Sequence, residues 1–427
     1  MDNKETLYDR LISPENIYKA IYSLESYVFE KELLSDKYIV LYSKLADKYD
    51  IETINSTIKE CKEKLERAIY DDDFFFDIEV YFKPKKLDDG IEDYRPMHTA
   101  DLITQICLVS MLNLIMFDDS DGTRNLSDIC KLIPSNFYGN IPSTNIETIF
   151  KPWSKQYSDY STAIINASKE YFENKKYKYE VNLDLEKFFP SIDPAYIYSF
   201  IWDRISPFYN KKDKVTLDDI LKKLLYFRIL FDCESHDFDE YYKGIEPKIQ
   251  FQEGITYFNR GIPQGLPQAY LFGNFCMIDV AKIIAEKIKG EAYFYVDDSV
   301  IYTNTEKNEF GKIVDSINEE LSEKIRFKDN KPIERNFDLQ SFYQKVKEEY
   351  VIKIHSCIDN SKTRIGNISY EDYLFELAQP ASTTSFQLKA TFDDLEDETL
   401  KRKLESLVEL IDKELELIKN YEEDEEE

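Results

Sequence analysis

YFYVDDSVIY, residues 293–302, decides the fold. Tyr293 to Val296 and Val300 to Tyr302 are aromatic or β-branched, the composition of strands. Two short strands so close together make a hairpin, and the reading puts Asp297 and Asp298 at its tip. Tight hairpin turns favour glycine or asparagine, because positive φ is costly for a residue with a Cβ. Two adjacent carboxylates also repel each other. Aspartate does cap its own backbone in turns, so the pair alone is weak evidence. In the company of the elements around it, it asks for a divalent cation.

Working upstream, YKYEVNLDLEKFFPSIDPAYIYSFIW (177–202) alternates as a strand from Tyr179 to Leu185, with Asp184 near the carboxyl end. Asp193 and Pro194 then start a helix, aspartate as cap and proline at its first position. FNRGIPQGLPQAYLFGNFCMIDVAKIIAEKI (258–288) is a Gly/Pro loop feeding a long helix that leads into the hairpin. FFFDIEVYFKPKKLDDGIEDYRPM (74–97) is strand-rich, with Asp89-Gly90 as a turn signal between Lys83, Lys85 and Lys86 on one side and Arg95 on the other. LITQICLVSMLNLIMF (102–117) is interrupted by Thr, Gln, Ser and Asn; it is a buried helix and not a bilayer span. Residues 1–70 are helical, with ETINSTIKECKEKLERAIY the clearest amphipathic stretch.

Composition sets the outer limits. The chain has 427 residues, net charge −28 and a pI near 4.7, which argues against nonspecific coating of nucleic acid. Part of that charge is local: from Asp393 to Glu427 sixteen acidic residues face five basic ones. Screening over about 8 Å leaves room for a basic groove elsewhere. Cys61, Cys107, Cys130, Cys233, Cys276 and Cys357 form no CxxC pair, and His98, His236 and His355 have no neighbour at ligand spacing. The amino terminus lacks an apolar secretory core. A reduced, cytoplasmic protein is expected, with no membrane contact.

The chemistry follows from the carboxylates. Phosphoryl transfer to a sugar hydroxyl is served by two divalent ions about 4 Å apart, held by carboxylates from separate strands at one end of a sheet. Asp184 with Asp297 and Asp298 meets that requirement. Magnesium takes oxygen ligands and needs neither histidine nor cysteine.

LDLEKFFPSI, RGIPQGLP and YVDD, in this order, resemble motifs A, B and C of reverse transcriptases, particularly the bacterial group of intron, retron and abortive-infection enzymes. KPKKLDDGIEDYRPM resembles their fingers segment and IDNSKT (358–363) their motif D, so that the likeness covers roughly residues 75–370. SNFYGNIPSTNIETIFKPWSKQYSDYS (135–161) is similar to a segment that precedes motif A in antiphage reverse transcriptases.

The resemblance implies an α+β fold with a right-hand fingers–palm core. Its expected parts are a helical N-terminal extension (1–72), fingers (73–180), a palm (181–368) with a helical insertion at about 306–350, and a short helical thumb-like segment with the acidic tail (369–427). It implies an RNA-directed DNA polymerase in antiphage defence, with Asp184, Asp297 and Asp298 as the catalytic carboxylates. Those three and the Leu185 carbonyl would hold two Mg2+ ions, with Mn2+ as a substitute. Lys83, Lys85, Arg95, Phe189, Gln264, Gly265 and Lys362 would bind the nucleotide. Phe189 would be the aromatic gate against a 2′-hydroxyl, and Gln264-Gly265 the loop against the nascent base pair.

RNA polymerases of this fold usually carry an aspartate where Phe189 stands and Ser-Gly where Gln264-Gly265 stand, which favours deoxynucleotides. The implied partners are an RNA template, a DNA product and dNTPs. The acidic C-terminal helix (397–420) makes a poor grip on a duplex, leaving room for a noncoding RNA or protein partner, or an oligomer. Departures from the family pattern are LPQAY where a Ser-Pro is common, and no clear motif E; SYEDYLFELAQPAS (369–382) is the nearest stretch. The rival readings are a template-independent or protein-primed DNA polymerase on the same fold, and a non-catalytic sensor or scaffold.

Overall fold

The structure, a computed structural model, describes residues 5–31, 44–45, 50–84, 94–118, 123–230, 241, 261–322 and 354–369. Helices α1 (Leu7–Leu11), α2 (Pro14–Lys31) and α3 (Ile51–Tyr70) open the chain. Asp50 caps α3 by accepting from Thr53 N, and Ile54, Cys61, Leu65 and Ala68 form its buried stripe. Strands β1 (Asp77–Pro84) and β2 (Tyr94–Thr99) pair antiparallel in a register that sets Lys83 opposite Arg95. The Asp89-Gly90 turn and Lys85 lie outside the described residues.

Helix α4 (Leu102–Met116) is buried along its whole length apart from Leu114, as its apolar run requires. It packs against α2 and α3. A short ladder of β3 (Phe117–Asp118) with β4 (Asn125–Leu126) follows, then α5 (Trp153–Asn174).

The sheet that carries the carboxylates comes next. Strand β5 (Tyr179–Leu183) leads through the short helix α6 (Phe188–Ser191) into α7 (Pro194–Ile205) and α8 (Lys211–Leu225). Asp193 caps α7 and Pro194 is its first residue, as expected. Strand β6 (Arg228–Leu230) returns to pair parallel with β1, an addition the sequence did not announce. Helix α9 (Pro267–Lys287), strands β7 (Gly290–Tyr295) and β8 (Asp298–Thr303), helix α10 (Lys307–Leu321) and strand β9 (Arg364–Asn367) complete the described elements. The palm sheet has the order β7-β8-β5-β9, antiparallel throughout. Residues 370–427 and most of the expected insertion lie outside the described residues.

Both faces of this sheet are covered, and the period of two decides which side chain goes where. Val181, Leu183, Phe294 and Ile301 join the main core with α9. Val300 and Tyr302 point to the other face, where Tyr160, Ile164, Ala167 and Tyr171 of α5 enclose them. On that side Ser168 Oγ and the Tyr302 hydroxyl share a 2.6 Å hydrogen bond. A clamped sheet of this kind gives its strand ends fixed positions.

One detail of the hairpin corrects the sequence reading. Tyr295 pairs with Asp298, so the two-residue tip is Val296-Asp297, and Asp298 is the first residue of β8. Val296 takes φ = +57°, a left-handed conformation unusual for a β-branched residue and costing about 1–2 kcal/mol. Positive φ at the first turn position is the type II′ pattern, where glycine is usual. The sequence hid this because valine continues the apolar strand pattern into the turn.

Candidate active site

Asp184 stands one residue beyond β5, and the β5–β8 register, Leu183 opposite Ser299, brings it level with Asp298. Asp297 is half-buried and Asp298 exposed at the start of β8. Loss of hydration and the charges of Asp298 and Asp184 push the Asp297 carboxyl up to about 7; Arg95 acts in the opposite sense. Asp298 is raised by the same loss of hydration and by Asp184, against Lys362 and Arg95. The three carboxylates therefore form one electrostatic unit. Arg95, exposed on β2, is near enough to act on two of them.

The motif around Lys362 is hung on the end of β5. Asp359 N donates to Asp184 O (2.8 Å), Glu186 N donates to Cys357 O (3.0 Å), and Leu185 bridges to Ile358. This antiparallel bridge uses the flanking main-chain groups, so the Leu185 carbonyl is turned away from Ile358, to the side on which β8 lies. Lys362 Nζ lies 2.9 Å from Asp184 Oδ2 and 3.5 Å from Asp359 Oδ2, with its side chain largely exposed. Hydrogen bonding to Asp184 raises the Lys362 ammonium above its ordinary value.

Can this set hold divalent ions? The donors are carboxylate oxygens and a main-chain carbonyl, which is magnesium chemistry, and a cation would offset both the loss of hydration and the neighbouring negative charge that raise Asp297 and Asp298. The residues fit the group in kind. In the arrangement described, Asp184 is turned to Lys362, and among the described residues no three acidic, histidine or cysteine side chains are drawn together as an ion-binding cluster.

The other expected residues sit on neighbouring elements. Phe189 is buried on α6, its ring edge-on to Tyr270 of α9 at 5.6 Å and to Phe188 at 5.1 Å. Gly265 has φ = +113°, and a Cβ there would lie 2.4 Å from His98 O. Glycine is needed at this position because the loop presses on β2. Lys83 is exposed beside Arg95 on the two-stranded arm; Lys85 lies outside the described residues.

Both described histidines turn out to be backbone latches that spacing arguments miss. The His98 ring contacts Gln264 O through Nδ1 (3.0 Å) and the Tyr241 hydroxyl through Nε2 (3.0 Å), while His98 N also donates to Gln264 O. The arm bearing Arg95 is thereby tied to the Gln264 loop. His355 stacks on Phe188 and meets Phe188 O through Nε2 (3.1 Å), and Gly261, at φ = +59°, lets Ile262 N reach Phe189 O. Phe189 is thus fixed from two sides. An "RG" before a loop proline was the one visible signal for Gly261.

Burial lowers both histidines to about 4. An unfolded histidine titrates near 6.5, so between about pH 6.5 and 4 the unfolded chain takes up protons that the folded chain refuses. Stability then falls as pH falls, by about 2 kcal/mol per histidine between pH 7.5 and 5. Asp297, raised in the folded state, acts in the opposite direction. Urea unfolding of wild type and a His98→Gln/His355→Gln variant at both pH values isolates the histidines. The wild type should lose about 4 kcal/mol more than the variant; equal losses would contradict buried neutral rings.

The antiparallel sheet thus carries three acidic residues at one end, two of them on a hairpin. Residues 119–331 match the family model for reverse transcriptase (RNA-dependent DNA polymerase). Over that span the chain is similar to reverse transcriptases, and the likeness implies a polymerase palm, in keeping with the mixed helix and sheet seen here. The span takes in Asp184, Phe189, Gln264, Gly265, Asp297 and Asp298, but not Lys83, Arg95 or Lys362. No curated protein matches the chain. Among the described residues no helix is long and apolar enough to cross a membrane.

Proposed function

We propose that the protein is an RNA-directed DNA polymerase whose reaction centre is the floor formed by Asp184, Asp297 and Asp298. The observation that carries the reading is that these three carboxylates stand at one end of an antiparallel sheet and feel one another's charge, inside a span similar to reverse transcriptases. Two divalent ions held there would activate the primer 3′-oxygen and stabilise the transferring phosphoryl group. Asp184, Asp297, Asp298 and the Leu185 carbonyl are the oxygens to hold them. Arg95, with Lys83 on the facing strand, supplies positive charge for the triphosphate, and Lys85, two residues further along the sequence, is assigned the same part. Lys362 leaves Asp184 for the pyrophosphate side when substrate arrives. Phe189 lies under the incoming sugar and Gln264-Gly265 against the new base pair.

The biological setting we propose is antiphage defence, and its support is the 135–161 segment. A partner RNA or protein, or a second copy, would supply the grip that an acidic carboxyl-terminal segment lacks. Template-independent synthesis and a non-catalytic scaffold have no observation in their favour among the described residues. The scaffold reading also leaves the crowded carboxylates without a purpose.

The test is to sequence nucleic acid that copurifies with the protein from cells with and without phage. The expected result is DNA complementary to a cellular or phage RNA, absent from an Asp184→Asn preparation. Copurifying DNA with no RNA counterpart, or DNA equally abundant in the variant, would count against template copying by this site.

A further inference from the structure

The segment before α5 makes specific contacts with the sheet and with α9. Residues 136–138 lie along β7 as an extra edge. Tyr138 N donates to Phe294 O (2.9 Å), Phe294 N to Asn136 O (3.0 Å), and Asn136 Nδ2 to Ala292 O (2.8 Å). The Phe137 and Phe294 rings meet at a tilt, their centres 5.0 Å apart. The chain then turns through Gly139 and Asn140, the latter left-handed at φ = +54°. Gly139 comes so close to the hairpin tip that a Cβ would lie 2.6 Å from Val296 Cγ2 and 2.9 Å from Val296 N.

The turn is held from behind by α9. Asn274, fully buried, spends its amide on two main-chain carbonyls, donating to Gly139 O (3.0 Å) and Asn140 O (2.9 Å). Beyond the turn, Ile141 N donates to Gln156 Oε1 (2.8 Å) and Lys151 N to Ile141 O (2.9 Å), which closes the segment on the start of α5. A continuous line of contacts therefore runs from Asn274 through Gly139 to Val296, next to Asp297.

We propose that Gly139-Asn140, anchored by Asn274, is a strap that presses Val296 into its left-handed conformation and so aims the Asp297 carboxylate. The inference rests on the polymerase reading of the same site, and it makes Gly139, Asn274 and Val296 positioning residues. A strained turn persists only where its surroundings over-determine it. Here the glycine admits the valine side chain, the valine fills the space, and the asparagine amide fixes the glycine. Groups that orient a ligand residue typically change metal affinity by about 10–100-fold when lost.

The measurement is Mn2+ binding to the full chain, followed by the electron paramagnetic resonance of free Mn2+, alongside single-nucleotide incorporation per folded molecule. Gly139→Ala should weaken Mn2+ binding at least about tenfold and lower kcat with little change in KM for dNTP. Adding Val296→Gly, which removes the colliding Cγ2 and suits positive φ, should recover most of the loss. A role in folding alone would reduce the folded fraction and leave Mn2+ affinity per folded molecule unchanged. If Gly139→Ala does not fold, Asn274→Ala removes both donors without adding bulk and carries the same expectation.

A folded Gly139→Ala protein with wild-type Mn2+ affinity and turnover would overturn the strap. A wild type that binds Mn2+ but copies no template would instead defeat the polymerase reading, while the binding comparison still decides the strap.

Discussion

Replacing Asp297 by alanine should reduce nucleotide incorporation about a thousandfold or more while leaving the protein folded and slightly steadier. The loss follows from removing one of the oxygens proposed to hold divalent ions. Transition-state stabilisation of several kcal/mol is at stake in such sites, and each 1.4 kcal/mol is about tenfold in rate. The gain in stability follows from removing a carboxylate whose charged form is disfavoured by loss of hydration and by the charges of Asp298 and Asp184. Primer extension and thermal unfolding on one preparation read both effects. A variant as active as wild type, or wild-type activity that survives EDTA, would place the chemistry elsewhere.

Phe189→Ala should let ribonucleotides compete. The ring is held edge-on to Tyr270, its main chain is fixed by Ile262 N, and Phe188 beside it is pinned by His355. Truncation therefore opens space at a defined place. We expect discrimination against ribonucleotides to fall by about tenfold to a hundredfold, the range that small changes of pocket volume produce. Because Phe189 is buried, the same change should also cost about 3–5 kcal/mol of stability. The two effects separate when the ratio of ribo- to deoxynucleotide incorporation is measured on folded protein. An unchanged ratio would make Phe189 a core residue only.

Much of the palm was legible because its residues serve a single purpose. Tyr179 to Leu183 and Val300 to Tyr302 alternate between two covered faces, so period, strand and burial agree. Asp193-Pro194 marked the start of a helix for the same local reason. The tip of the hairpin was misplaced by one residue because Val296 looks like strand and behaves as turn. The Asp89-Gly90 signal put Lys83 and Arg95 on the two strands of one antiparallel pair, whereas the parallel strand at Arg228–Leu230 depends on contacts far apart in sequence and left no local mark. His98, His355 and Asn274 escaped for another reason. Each uses its side chain on a main-chain carbonyl of a distant loop, and such bonds have no spacing to recognise.

The central claim is that these carboxylates copy RNA into DNA, and the template itself can be made to test it. The purified protein is given primed homopolymeric RNA, poly(rA) with oligo(dT) or poly(rC) with oligo(dG), in Mg2+, with all four labelled dNTPs offered separately. The account predicts that dTTP alone is incorporated on the first template and dGTP alone on the second, with neither signal in an Asp184→Asn protein. Incorporation that ignores the template, or that survives in the Asp184→Asn protein, would contradict it.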